Sequence, residues 1–369
     1  MSDFKRLFSQ GNIGNVTVKN RIIRSATYES MADERGHITD EMVGLYSDLA
    51  GGGIGLIITG FTSVDPEGMV GPKTTGLYDD SCLSGHKRLV DAVHECDGAK
   101  IASQLAHCGR QILIPGIIPV APSPIPDKMI NRVPRELSTD EVGKTIKKFV
   151  YAGRRAYESG YDAVQIHAAH GYLLSSFLSP YSNKRSDEFG GDTRGRTKIL
   201  LDICEGIHDE VGIQFPIIVK MQSQDGISEG LCVEEAKVIA RLLVHAGYSA
   251  IEPSGGIYEG RLRNKSALPM KLIKSQEDEA YLLPTARELK PTMGNCPLIL
   301  IGGMRDPVMA DGILESKIAD FISLSRPLIC EPDLPNRWSE GDLSPVKCKS
   351  CNRCYFNMGR EPLHCYNKK

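Results

Sequence analysis

Eight short β-rich runs, each separated from the next by a helical window, constrain this chain more than any other feature. The runs are Ile22–Thr27, Gly55–Gly60, Lys100–Ala106, Ala163–Ala168, Pro216–Met221, Ala250–Gly255, Pro297–Gly302 and Phe321–Arg326. Amphipathic windows lie between them, at residues 40–51, 86–96, 139–159, 196–211, 233–246 and 281–289, with one more at 307–316. Strands that alternate with helices form parallel sheets covered on both faces, and this number favours closure into an α/β (β/α)8 TIM barrel. An open doubly wound sheet fits the same alternation. However, no G-x-G-x-x-G follows the first run, so that architecture lacks its nucleotide fingerprint. Boundary chemistry supports the helices: Ser138-Thr-Asp-Glu141 fits a capping box, and Gly160 and Gly247 stand where helices should stop.

Two stretches fall outside the alternation. Residues 1–20, with Gly11, Gly14, Val16 and Val18, predict a hairpin that caps the bottom of a barrel. Residues 112–138 carry Pro115, Pro119, Pro122, Pro124 and Pro126 and read as an irregular loop over the active face. The expected division is a barrel over residues 1–338 and a short Cys-rich C-terminal extension over 339–369.

Composition narrows the function classes. With a net charge of −2, no global field recommends nucleic acid or an anionic membrane as a partner. No run approaches the roughly 18 apolar residues of a membrane helix, and the N-terminus lacks a signal peptide's apolar core, so a cytoplasmic protein is expected. The eleven cysteines are then read as reduced thiols or metal ligands, not as a disulfide framework.

In a parallel barrel, chemistry gathers at the C-terminal ends of the strands. Polar residues cluster there: Gln104 and His107 on the third run, His167, His170 and Tyr172 on the fourth, and Lys220 on the fifth. The two imidazoles of His167 and His170 allow three readings. They can donate to one substrate oxygen, ligate a metal together with His107, or serve as structural histidines. Gly302-Gly303 ahead of a helix, beside Ser325-Arg326, suits a phosphate, because glycine admits close backbone approach and a guanidinium pairs with the charge.

The block from His167-Ala-Ala-His-Gly-Tyr to Asp187-Glu-Phe-Gly-Gly191 closely resembles the signature of the old yellow enzyme family of FMN-dependent oxidoreductases. Supporting matches run in family order from Asn20-Arg21-Ile-Ile to Ala319-Asp-Phe-Ile-Ser-Leu-Ser-Arg-Pro327. The resemblance implies FMN, reduced by NADH or NADPH, acting on activated C=C bonds of enone-like small molecules. It places Ser25, Ala26 and Gly60 along the flavin ring, Thr27 beside it, Gln104 on its pyrimidine side and Lys220 near N1 and O2. Gly302, Gly303, Ser325 and Arg326 would hold the phosphate. His167 and His170 would bind the substrate oxygen, Tyr172 would give the proton, and Tyr28 matches an aromatic of the substrate pocket. Ser25, Ala26 and Ser325 depart from the family's usual Pro, larger apolar residue and Gly. The family also implies a homo-oligomer.

The tail Cys348-x2-Cys351-x2-Cys354, followed by Cys365, has ligand spacing that suits a [4Fe–4S] cluster first and tetrahedral zinc second. It resembles the segment after the barrel in the dienoyl-CoA reductase and trimethylamine dehydrogenase branch. A cluster here would call for a separate electron-transfer protein, the expected partner in that alternative. A metal-dependent barrel lyase or hydrolase is the remaining alternative.

Overall fold

In the computed structural model, which describes residues 4–263 and 271–367, the alternation closes into a barrel. Its strands are β1 (Ile22–Arg24), β2 (Leu56–Ser63), β3 (Lys100–Ala106), β4 (Ala163–Ala168), β5 (Ile217–Gln222), β6 (Ala250–Ser254), β7 (Ile299–Ile301) and β8 (Phe321–Leu324). They pair in parallel in the order β6-β5-β4-β3-β2-β1-β8-β7, and a parallel bridge between Ile251 and Leu298 joins the two ends.

Helices α1 (Asp40–Gly51), α2 (Leu83–His94), α3 (Thr139–Glu158), α4 (Thr193–Val211), α5 (Val233–Ala246), α6 (Leu283–Leu289) and α7 (Pro307–Glu315) surround the barrel. Their ends follow local chemistry. Ser138 and Glu141 form the predicted capping box, and Gly247 closes α5 at φ 102°. No helix among the described residues is long and apolar enough to cross a membrane.

Alternate residues of each strand face the barrel axis. At the N-terminal end these are apolar: Ile23, Ile58, Ala102, Ile218, Ala250 and Phe321 pack in one cluster. The hairpin Gly11–Ile13 and Val16–Val18 adds Ile13 and Val18 to that cluster, which plugs the bottom of the barrel as the sequence predicts. Toward the C-terminal ends the same inward rows turn polar, giving Ser25, Gln104, Gln165, His167, Lys220, Glu252 and Ser323.

Strand ends and one loop differ from the sequence expectation. The loop over residues 112–138 contains a two-residue ladder, Val120–Ala121 on Arg135–Glu136, too short for any local pattern to specify. β2 runs past Gly60 to Ser63, because a register shift between Ile58 and Phe61 absorbs the extra residues and keeps the strand paired with β3.

Candidate active site

The polar inward rows floor a cavity of about 260 Å³ at the C-terminal end of the barrel. Lys220 Nζ lies 2.8 Å from Glu252 and 3.2 Å from Ser25 Oγ. Gln104 enters from β3 and donates to Gln165 at 2.7 Å. Burial works against the Glu252 carboxylate, but the Lys220 ammonium and three hydrogen bonds outweigh it and hold the group below its ordinary range.

On one wall stand His167, His170 and Tyr172. The His167 ring sits edge-on to both neighbours, with centroids 5.2 Å from His170 and 5.0 Å from Tyr172. His167 Nδ1 accepts the Ala169 N–H at 3.3 Å, which leaves Nε2 as the protonated nitrogen. His170 is a non-glycine residue at φ 68°, a conformation costing about 1–2 kcal/mol. The turn is held by Gln222, which accepts the His170 N–H at 2.8 Å, and by Gln111, which donates to its carbonyl at 3.0 Å. His170 Nε2 meets Ser254 Oγ at 2.7 Å. Burial, then the neighbouring charge of Lys220, lowers the His170 pKa to about 3. Burial also takes His167 well below its ordinary value, so both rings are neutral near pH 7. Tyr172 is pushed the other way by burial and keeps its proton.

Of the residues expected to line a cofactor site, Ser25, Ala26, Thr27, Gln104, Lys220, Gly303, Ser325 and Arg326 border this cavity, as does Tyr28. Gly302 lies behind it at φ 136°, where its carbonyl accepts the Tyr281 N–H. Gly60 also stands back. Its N–H donates to Glu29 at 2.6 Å, and a Cβ there would lie 2.2 Å from Glu29 Oε2 and 2.4 Å from the Thr27 carbonyl. His107 is absent from the lining, and its Nδ1 accepts the Gly109 N–H while Nε2 faces Asp65 at 3.6 Å. Arg305, which follows Gly302-Gly303 in the turn read from the sequence as suiting a phosphate, also borders the cavity, and Phe61, Met304 and Ser323 do so without having been singled out.

The donor set fits FMN. Lys220, Arg261, Arg305 and Arg326 line the cavity and, among the described residues, no carboxylate does, which suits a dianionic phosphate and an electron-rich ring. Ser325, just past β8, is tied to Thr27, three residues past the end of β1, by a 2.8 Å hydroxyl contact. The Arg326 guanidinium reaches Ser350 at 2.9 Å, Asn352 at 2.5 Å and the Lys271 carbonyl at 3.1 Å, so the cysteine segment steadies it.

Cys348, Cys351, Cys354 and Cys365 all line a second, small cavity beside Arg326. Cys354 borders both cavities. Among the described residues, no three His, Cys, Asp or Glu side chains converge as one metal ion requires. The four cysteines share the lining of this space of about 20 Å³ with Ser350, Asn352 and Asn367, and the thiolates of an iron–sulfur cluster likewise face one common space.

Residues 6–343 match the model of the NADH:flavin oxidoreductase / NADH oxidase family. The chain is 36% identical over 357 residues to an NADH oxidase of Thermoanaerobacter brockii, an alignment covering 95% of this chain and 54% of that protein. A 2-naphthoyl-CoA reductase in complex with 2-naphthoyl-CoA superimposes with a TM-score of 0.90 at 27% identity, over 98% of this chain and 56% of the other. An old yellow enzyme homologue of Zymomonas mobilis superimposes with a TM-score of 0.76 at 26% identity, over 93% and 95%. The chain therefore spans about half the length of the longer relatives it matches.

Proposed function

Since the chain belongs to the NADH:flavin oxidoreductase / NADH oxidase family, we propose that it reduces activated C=C bonds of enone-like molecules, using FMN and NADH or NADPH. When bound, FMN supplies a ring nitrogen that takes hydride from the nicotinamide and gives it to the second substrate. Ser25, Gln104 and Lys220 hold the pyrimidine side of the ring, with Ala26, Thr27 and Gly60 shaping the segment beside it. Gly303, Ser325 and Arg326 hold the phosphate, and Gly302 shapes the turn behind them.

His167 and His170, both neutral, donate N–H bonds to the substrate oxygen and favour the negative charge that develops there. Tyr172 retains a proton for the α-carbon because burial opposes its ionisation. Tyr28 borders the substrate space. The carrying observation is the edge-on group of His167, His170 and Tyr172 on the wall of a cavity floored by Gln104 and Lys220.

An anaerobic visible spectrum tests this reading. Flavin bands should bleach with NADH or NADPH and return on addition of an enone. Colourless protein that releases no FMN on denaturation would overturn it.

The ring of Cys348, Cys351, Cys354 and Cys365 around one cavity favours a second element: a [4Fe–4S] cluster that receives electrons from a separate carrier protein. Iron and acid-labile sulfide in a near-equimolar set of four per chain are expected, and zinc alone in the purified protein would exclude it. We place the protein in the cytoplasm as a homo-oligomer. The exposed Leu113, Ile118 and Val133 of the loop over the active face supply apolar contact surface.

A further inference from the structure

Under the cavity lies a carboxylate that the reaction described above does not use. Glu252 is wholly buried on β6, in register with Lys220 of β5, and lines no part of the cavity. It nevertheless holds the groups that do. Lys220 Nζ lies 2.8 Å from it, Ser25 Oγ donates at 3.0 Å, Ser323 Oγ at 2.9 Å and Gln165 Nε2 at 2.7 Å. Gln165 Oε1 in turn accepts from Gln104.

An ionised carboxylate can only accept hydrogen bonds, so it fixes the direction of every bond around it. Ser25 and Ser323 must point their protons at Glu252, which leaves Ser25 Oγ to accept from the Lys220 ammonium. Gln165 must point its amide nitrogen at Glu252, so its carbonyl faces Gln104 and fixes that amide as well. Glu252 also cancels much of the Lys220 charge, since the two opposite charges share a dry site.

We propose that Glu252 is a positioning residue that orders the polar floor beneath the flavin and limits how far Lys220 raises its potential. The inference rests on the flavin reading above. Lys220 favours electrons on the ring, because reduction places negative charge near its ammonium. Glu252, one side chain further from the cavity, opposes that effect in part. The result is a flavin still willing to pass hydride onward, which an uncompensated lysine would retain more strongly.

The test uses the flavin-loaded protein and reads the midpoint potential by spectroelectrochemistry and the dissociation constant of sulfite, which adds to flavin and leaves negative charge on the ring. Glu252→Gln keeps the shape and removes the charge. Its potential should rise and sulfite should bind on the order of tenfold more tightly, the effect of losing one charge at close range. Lys220→Met should move both in the opposite sense. If Glu252→Gln does not fold, the double variant Lys220→Met with Glu252→Gln leaves no charge unpaired. It should lie closer to wild type than Lys220→Met does. Unchanged potential and sulfite affinity in Glu252→Gln, or a double variant identical to Lys220→Met, would overturn the proposal. Wild-type protein that takes up no flavin would overturn the underlying reading, and the role of Glu252 with it.

Discussion

His167 and His170 are suited to hold an oxygen because they are kept neutral, and this has a measurable sign. A free imidazole titrates near pH 6.5, whereas burial and Lys220 lower His170 to about 3. Between those values the unfolded chain binds a proton that the native site refuses, so unfolding free energy falls as pH drops below about 6.5. Above that pH the pair contributes no slope. In the loaded protein, affinity for a carbonyl ligand should therefore stay level from pH 5 to 8, as read by flavin absorbance titrations. A break in affinity near pH 6.5 would mean that the rings titrate normally. Spacing alone left the pair open among three roles and let His107 join them. Strand parity separates them: Ala163, Gln165 and His167 are in one inward row of β4, while the inward row of β3 is Ala102, Gln104 and Ala106. His107 is out of phase with that row, and its ring is bound to Gly109 and faces Asp65. The same parity points to Gln165, Glu252 and Ser323 as polar residues on otherwise apolar strands, a signal present in the sequence that family resemblance did not emphasise.

At the scale of elements, the strands and helices were legible because their apolar periods are local, while their ends depend on tertiary contacts. β1 was expected to reach Thr27 but ends at Arg24, where the chain leaves the ladder to form the cavity wall. β2 continues through its register shift, and Gly60 belongs to that irregularity. Resemblance assigned Gly60 to the cofactor, but its packing gives it a further duty. The Glu29 carboxylate and the Thr27 carbonyl occupy the space a side chain would need. One of those neighbours is backbone, so it has little room to yield. Gly60→Ala should cost roughly 2–4 kcal/mol, the range for overpacking combined with a disturbed buried network. Urea denaturation measures this, and a loss below about 0.5 kcal/mol, the scale of a neutral surface change, would show that the bulge relaxes.

Over the whole molecule, the barrel and the cysteine tail are one structure at the cavity. Cys354, Tyr355, Met358 and Leu363 complete its wall, and the Leu363 N–H donates to the Glu29 carbonyl at 2.8 Å. Ser350 accepts from the Ile273 N–H and, with Asn352, from Arg326, the arginine proposed to hold the phosphate. Arg305 likewise donates to the Cys348 carbonyl. The cysteine spacing could be read directly, but this coupling could not, because it joins residues some 24 and 26 positions apart through side-chain contacts. Among the described residues this segment has a single four-residue helix and little apolar core of its own, so a group bound by its cysteines would add to the order its barrel contacts give. If the four cysteines hold a cluster, removing it should free Ser350 and Asn352 and loosen Arg326. Flavin affinity should then fall on the order of tenfold or more, the scale of one charge-assisted hydrogen bond to a phosphate. The comparison is between loaded protein and Cys348→Ser with Cys351→Ser, reading flavin release by fluorescence and folding of the barrel by circular dichroism. A folded barrel that keeps wild-type flavin affinity would show that Arg326 needs no help from the tail. Arg326→Lys should then act as a reference: it retains the charge but loses the fork whose Nη1 reaches Ser350 and Asn352 and whose Nη2 reaches the Lys271 carbonyl, so its affinity should fall toward that of the cysteine variant.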